Sequence, residues 1–515
     1  MTENKNDKIN MVDNSVVNVA VYLYLMLIFG VYPWIMDDKY FNITITRYKF
    51  FTTASMIFVL VVFFGYATEY FVMRYSNRKK LFIYKDDIAF YKKPDFWMIM
   101  FLASNLFAWI VSEDKKLAFT GESGRYMGLY IYLAATLVFL FIANNNNVVE
   151  PIFALFAITV FFSYVVAIFQ HLGIDFMGYR DGISQKQYDI FMSTFGNINI
   201  FASFLALSIP VFVCLFVFSD EVFYKIISGV VLVGGGMSLM IANSDSGYFG
   251  ALVACVFIFF MAFYHGRTVK YLLAMLCLAV GNLGVVLLNK CVIKNYDKRG
   301  GVAEAMDRLD LAILIILALA FVCLIIYILK NVGILTDSIN RKRAIIIMAG
   351  VLIFALVVFV LYGVTNKKSL FVFNYKWGTY RGYIWTKCVE LFKDAPVINK
   401  LFGYGNESVK SLMLSNFSIE MKEITGKTYD NAHNELLQYL LTTGLLGLIS
   451  YIGLVVSSFV YILKRCANNL VAYVSLAAVT GYFFQSLINL NQPITTPFIF
   501  VFMALGIGNV RNKYS

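Results

Sequence analysis

The chain has 515 residues, of which 60% are apolar and only 14% charged, with a mean hydropathy of +0.71. A soluble domain is roughly half apolar and about a quarter charged. A soluble enzyme, a disordered chain, a disulfide scaffold and a conventional nucleic-acid binder are therefore excluded, and a polytopic membrane protein remains. The net charge is +12 with pI near 9.1. In a soluble protein that balance would suggest an RNA partner; here many of the basic residues lie in loops between apolar runs, so no nucleic-acid partner is expected. There they serve as topogenic charge at the membrane surface and also offer attraction to an anionic, phosphate-bearing lipid.

In chain order, apolar stretches of near-spanning length fall at 16–36, 50–73, 95–112, 126–143, 148–170, 199–218, 226–242, 248–264, 271–289, 309–329, 344–364, 443–463, 470–488 and 494–509. They show no barrel-like alternation, so they are read as helices. The expected fold is all-α: a polytopic transmembrane helical bundle of 12–14 spans, the range reflecting the short last stretch and two that admit another division. Residues 1–515 form one integral membrane domain. The first apolar run is too long for a cleavable signal peptide. Most of the seven cysteines lie inside apolar runs and none forms a C-x-x-C, so they read as small core hydrophobes, with neither disulfide nor metal expected. No cofactor is expected.

Sidedness follows the short basic loops. Segment 74–94 carries Arg74, Arg78, Lys79, Lys80, Lys85, Lys92 and Lys93, and loops of the same parity hold Arg341, Lys342, Arg343, Lys464 and Arg465. These are placed in the cytoplasm with both termini, although 290–308 on the opposite side is also basic. The long hydrophilic stretch 365–442 then becomes one large extracytoplasmic loop. It contains two amphipathic patterns, over 379–393 and 407–421, expected as interfacial helices lying on the membrane surface.

Histidine occurs only at 171, 265 and 433. The first two read as helix-end residues. His433 lies in Asp430-Asn431-Ala432-His433-Asn434-Glu435 before an apolar run; with Asp430 or Asn431 as N-cap it falls in the first helical turn. There the positive helix end lowers the imidazole pKa and leaves a neutral ring suited to general-base work. The plain alternative is a histidine that only caps a helix. Arg381 shares a helical face with Trp385 in the same loop and reads either as a snorkelling interfacial arginine or as a bidentate phosphate clamp. Arg125, at a span entrance, is an anchor or a second cation. Asn197 and Asn199 precede an apolar helix and serve as caps or as hydrogen-bond partners for sugar hydroxyls. Gly234-Gly235-Gly236 marks close helix packing.

These pieces together resemble a known family. His433-Asn434-Glu435-Leu436-Leu437 followed by Gly444-Leu445-Leu446-Gly447 is similar to the HN-x-x-L…G-L-L-G signature of the O-antigen ligase and polymerase (Wzy-like) superfamily of bacterial membrane glycosyltransferases. Ser193–Pro210, Ser244–Tyr248, the run Arg381-Gly382-Tyr383-Ile384-Trp385, and Phe402-Gly403-Tyr404-Gly405 resemble its other segments in order, so that 190–460 reads as the family core; Gly124–Leu129 is similar to some members. The resemblance implies inverting, metal-independent transfer from an undecaprenyl-diphosphate-linked saccharide to a glycan or cell-envelope acceptor, at the outer face of the bacterial cytoplasmic membrane, in surface polysaccharide biosynthesis. It implies His433 as base and Arg381 as the diphosphate-binding residue. Arg125, Asn197, Asn199, Asn434, Lys376 and Arg180 are the expected substrate contacts. One departure stands out: Asp245 occupies the family's arginine position, so either Arg125, Arg180 or Lys376 replaces that cation, or the correspondence is shifted there, or the donor is handled differently. The competing reading is a lipid-linked saccharide flippase without transferase activity. It is disfavoured because charge concentrates in the outer loop, whereas Glu69 is the main charged residue well inside a span.

Overall fold

The computed structural model describes residues 15–75, 89–122, 124–145, 150–293, 301–331, 341–366 and 371–511. Arg78, Lys79, Lys80, Lys85, Lys294, Lys298 and Arg299, used above to assign sidedness, lie outside the described residues, as does Ser123. The protein is an all-α, polytopic helical protein. In lipid only helices and closed barrels satisfy every backbone polar group, and each predicted stretch is helical.

The helices run α1 (Ser15–Met26), α2 (Ile43–Tyr75), α3 (Pro94–Val111), α4 (Lys115–Thr120), α5 (Leu129–Asn144), α6 (Pro151–His171), α7 (Ile198–Phe218), α8 (Val222–Ala242), α9 (Asp245–Tyr264) and α10 (Thr268–Cys291). They continue with α11 (Gly301–Met306), α12 (Leu309–Asn331), α13 (Arg341–Thr365), α14 (Trp377–Asp394), α15 (Val397–Phe402), α16 (Val409–Thr425), α17 (Glu435–Thr442), α18 (Gly444–Arg465), α19 (Leu470–Ser486) and α20 (Thr496–Arg511). Among the described residues, eleven helical segments are long and apolar enough to cross a membrane, the first being Val16–Trp34; α5, α19 and α20 are shorter apolar helices. A two-residue antiparallel ribbon, Phe191–Met192 with Gly196–Asn197, precedes α7.

The centre of the bundle is α7, of which nearly every residue is buried, packed against α8, α9 and α19. Close approach uses small residues, as the glycine run suggests: a side chain on Gly236 of α8 would overlap the carbonyl of Leu278 on α10. Arg47 of α2 is fully buried and donates to the carbonyls of Pro33 (2.7 Å), Ile35 (3.2 Å) and Thr194, tying the N-terminal helices to the turn before α7.

The loop between α13 and α18 has a small core of its own. Tyr383, Ile384, Cys388 and Leu391 of α14 meet Val409, Met413 and Met421 of α16, with Ala432 and Leu441. Both predicted amphipathic helices are therefore present, and their apolar faces pack on each other. Buried Lys387 reinforces the pairing through Glu390 and Glu420, each at 3.0 Å. Phe402-Gly403-Tyr404-Gly405 is fastened to the end of α17, since Tyr404 N–H and Gly405 N–H donate to the carbonyls of Leu441 and Thr442 at 3.0 and 2.9 Å. Gly403 has φ 78° and abuts the Thr442 carbonyl, so a side chain there is excluded by both conformation and space.

Candidate functional site

Three chain segments converge on His433. The first is the 124–128 turn entering α5, the second the start of α14, and the third the 429–434 approach to α17. The 430–434 segment is held by its own side chains and by α14. His433 N–H donates to Asn431 Oδ1 at 2.8 Å, Ala432 N–H to Gln438 Oε1 at 3.1 Å, and the Trp385 indole N–H to the Ala432 carbonyl at 3.1 Å. The helix begins later than its sequence suggests. Asn434, not Asp430 or Asn431, is the N-cap, because its Oδ1 accepts from Leu436 N–H and Leu437 N–H at 3.0 and 3.1 Å. His433 thus precedes the first turn, in the left-handed region with φ 49°.

Its imidazole is lowered from 6.5 to about 3, but the cause differs from a helix dipole. Burial is the largest influence, followed by the positive charges of Arg381 and Arg125, with Asp430 opposing. Parts of the residue stay accessible, yet Nδ1 is sealed from solvent and has no protein partner.

Arg125 and Arg381 are the two cations that the fold brings to this ring. Arg125 Nη2 pairs with Asp430 Oδ1 at 2.7 Å, and its Nε is buried without a hydrogen-bond partner. Its turn is clamped by the buried carboxylate of Glu407, which accepts from Arg125 N–H and Met127 N–H at 2.9 and 3.0 Å. Burial pushes the Glu407 carboxyl up, against the two backbone donors. Although burial works against it, Arg125 chiefly holds Asp430 below its ordinary value.

Arg381 follows three successive left-handed residues, Gly378, Thr379 and Tyr380, with φ of 57, 59 and 69°. Its Nη1 makes only a 3.5 Å contact with the Gly378 carbonyl, and its Nε is buried without a partner. Burial lowers its pKa, partly offset by Asp245 and Tyr429. Asp245 stands at the start of α9 and accepts from Val302 N–H at 2.9 Å. The position expected to carry a cation therefore gives Arg381 an anionic neighbour.

Asn199 adjoins this region, accepting from Ser244 Oγ at 3.0 Å while its carbonyl accepts from Asn489 Nδ2 at 2.8 Å. Asn197 caps α7 through Asn199 N–H at 2.9 Å. Lys376 is exposed just before α14. Arg180 is engaged elsewhere, donating to the carbonyls of Phe191 (3.0 Å) and Gln170 (2.8 Å). Of the three alternatives for the missing family cation, Arg125 is the one brought to His433.

Of ten non-glycine residues with positive φ among the described residues, Tyr126, Thr379, Tyr380, Glu407 and His433 surround this cluster. Each such residue costs about 1–3 kcal/mol and persists where the surroundings over-determine it, commonly at functional sites. Glu407 escapes sequence reasoning because it sits in an irregular turn and is one of 31 acidic residues.

Behind His433, Glu435 is fully buried and accepts from Tyr439 Oη at 2.9 Å and Tyr451 Oη at 3.2 Å. Burial raises its pKa from 4.5 to about 7. The folded state thus holds this proton more tightly than the unfolded chain. The associated stability is complete below pH 4.5 and declines as pH rises through about 7. Glu435→Gln is therefore expected to raise the melting temperature above neutrality and to flatten its decline with pH. Thermal unfolding of the two proteins across that range checks this; parallel curves would contradict it.

The helices define a multi-pass membrane protein, and the fold sets a buried imidazole in the field of two guanidinium groups. Residues 305–452 match the family model described as O-antigen ligase, Wzy_C. The matched segment contains Lys376, Arg381, His433 and Asn434, while the segments resembling that family at 193–210 and 244–248 lie before it. The family indicates a ligase- or polymerase-type membrane function and an enzymatic role. No curated protein matches the chain.

Proposed function

We propose that the protein is an inverting, metal-independent glycosyltransferase. It would polymerise or ligate saccharides carried on undecaprenyl diphosphate, with the cluster around His433 at the outer face of the bacterial cytoplasmic membrane. The observation that carries this reading is the set of buried, unpartnered polar atoms Arg125 Nε, Arg381 Nε and His433 Nδ1. Buried polar groups are nearly always hydrogen-bonded, so two idle guanidinium donors beside an uncharged imidazole suit an anionic substrate with an adjacent reacting alcohol.

In this scheme the donor diphosphate lies between Arg125 and Arg381. The acceptor hydroxyl oxygen attacks the anomeric carbon from the face opposite the diphosphate. Its proton passes to His433, the new C–O bond forms with inversion, and the old C–O electron pair leaves with undecaprenyl diphosphate. Fixed cations stabilise the charge that builds on the leaving group. Asp430 pairs with Arg125; when the phosphates engage that guanidinium, the carboxylate is left to stabilise the imidazolium. A leaving group this stable needs no protonation, which fits a site with one base and no acid aimed at the donor.

Purified protein supplied with a defined lipid-diphosphate saccharide tests the proposal. Transfer to a second saccharide or envelope acceptor, with stoichiometric release of the lipid diphosphate, is expected. Movement of intact donor across a bilayer without bond cleavage would overturn it.

A further inference from the structure

A groove of about 560 Å³ lies between α14 and α17, outside the cationic cluster. That volume falls in the roughly 300–1,000 Å³ range of small-molecule sites. Its apolar wall includes Phe373, Trp385 and Leu437, and its rim includes Glu390, Asp394 and Lys393. The rings of Phe373 and Trp385 are 6.4 Å apart and near parallel at 26°. Trp385 also holds the carbonyl before His433, and Leu437 lies one helical turn beyond that histidine. The groove therefore borders the segment that carries the base.

We propose that this groove is a saccharide subsite, in which a sugar ring of the acceptor glycan lies against Trp385 while its hydroxyls donate to Glu390 and Asp394. The inference rests on the transferase reading and adds where the acceptor sits. The apolar C–H face of a sugar ring suits the negative face of an aromatic system. Carboxylates are acceptor-only groups able to take several hydroxyl donors. A polyprenyl chain fits less well, because it offers those carboxylates no donor. Donor and acceptor then divide the site: phosphates over Arg125 and Arg381, acceptor sugar in the groove.

The test uses the full-length protein in lipid nanodiscs. The probe is a neutral oligosaccharide ladder cut from the producing cell's surface glycan by mild acid, free of lipid and phosphate. Trp385 is one of five tryptophans, so binding is read as a saturable change in intrinsic fluorescence. Val389 lines the groove and is 38% exposed, so Val389→Phe fills the space without adding a tryptophan or disturbing the core. Binding is expected to weaken by about tenfold or more in Val389→Phe and in Asp394→Ala, and to persist in Arg381→Ala. No saturable binding, equal affinity in the groove variants, or competition by polyprenyl phosphate vesicles alone would overturn the assignment. Oligosaccharide binding without transfer from any lipid diphosphate would defeat the transferase reading and leave the groove standing. Transfer with an unchanged acceptor KM in Val389→Phe would do the reverse.

Discussion

Replacing His433 with alanine is expected to lower saccharide transfer by about 10²–10⁴-fold, the contribution of a positioned general base, with the amount of protein in the membrane unchanged. The residue sits outside the helices that build the bundle, and its Nδ1 makes no protein hydrogen bond, so its loss leaves the helix contacts in place and removes its edge-on ring contact with Tyr429. Its pH behaviour is the sharper signature. An ordinary histidine loses its basic form below about pH 6.5. Here burial and then Arg381 and Arg125 lower the value to about 3, so the neutral ring persists at acidic pH. Transfer attributable to this base should therefore show no inflection near pH 6.5, while the stability tied to the neutral ring is complete above 6.5 and falls below it. Initial rates for wild type and His433→Ala across about pH 5 to 8 check the first point, and thermal unfolding of the two proteins over the same range checks the second. Wild-type turnover in the variant would remove the base assignment.

The second large effect is expected at Arg381. Removing a preorganised charge-stabilising group costs about 10²–10³ in kcat, and Arg381→Ala should fall in that range. Arg381→Lys should recover only part of the loss, because an ammonium cannot reproduce the planar fork of a guanidinium. Three left-handed residues, Gly378, Thr379 and Tyr380, lead directly into Arg381. Since leaving-group charge develops in the transition state, kcat should suffer more than donor KM. A change confined to KM would mean that Arg381 binds the donor without stabilising its departure, and wild-type kinetics in Arg381→Ala would eliminate the clamp.

Much of this arrangement is legible in the sequence, for identifiable reasons. Hydropathy located the helices because a chain in lipid has few other ways to satisfy its backbone. The face shared by Arg381 and Trp385 marked α14 and a similar pattern over 407–421 marked α16; that their apolar faces pack on each other is a long-range contact the patterns did not carry. Local sequence failed where long-range pairs decide. Asp430 has the chemistry of an N-cap, but Arg125, far earlier in the chain, takes its carboxylate at 2.7 Å, and Asn434 caps α17 instead. That shift moves His433 out of the helix and changes why its ring stays neutral. Glu407 was equally hidden: its role is to accept from two backbone N–H groups of the 124–128 turn, a contact with no periodic signature. Arg180 has the composition of a phosphate ligand, yet its guanidinium is directed at the carbonyls of Phe191 and Gln170.

Asp245 adds a consequence for the donor. Its charge acts on Arg381, so an arriving diphosphate meets a guanidinium already partly compensated, as Asp430 compensates Arg125. Asp430 pairs directly with Arg125 and Asp245 acts on Arg381 through its charge, so the two buried positive charges do not stand together uncompensated.

The most direct measurement is a structure of the protein bound to a non-hydrolysable lipid-diphosphate saccharide. The diphosphate is expected within hydrogen-bond reach of both Arg125 and Arg381, with the Arg125–Asp430 pair opened and the imidazole of His433 facing the anomeric carbon from the side opposite the phosphates. A diphosphate bound away from these two guanidinium groups, or an imidazole on the leaving-group side, would contradict the account.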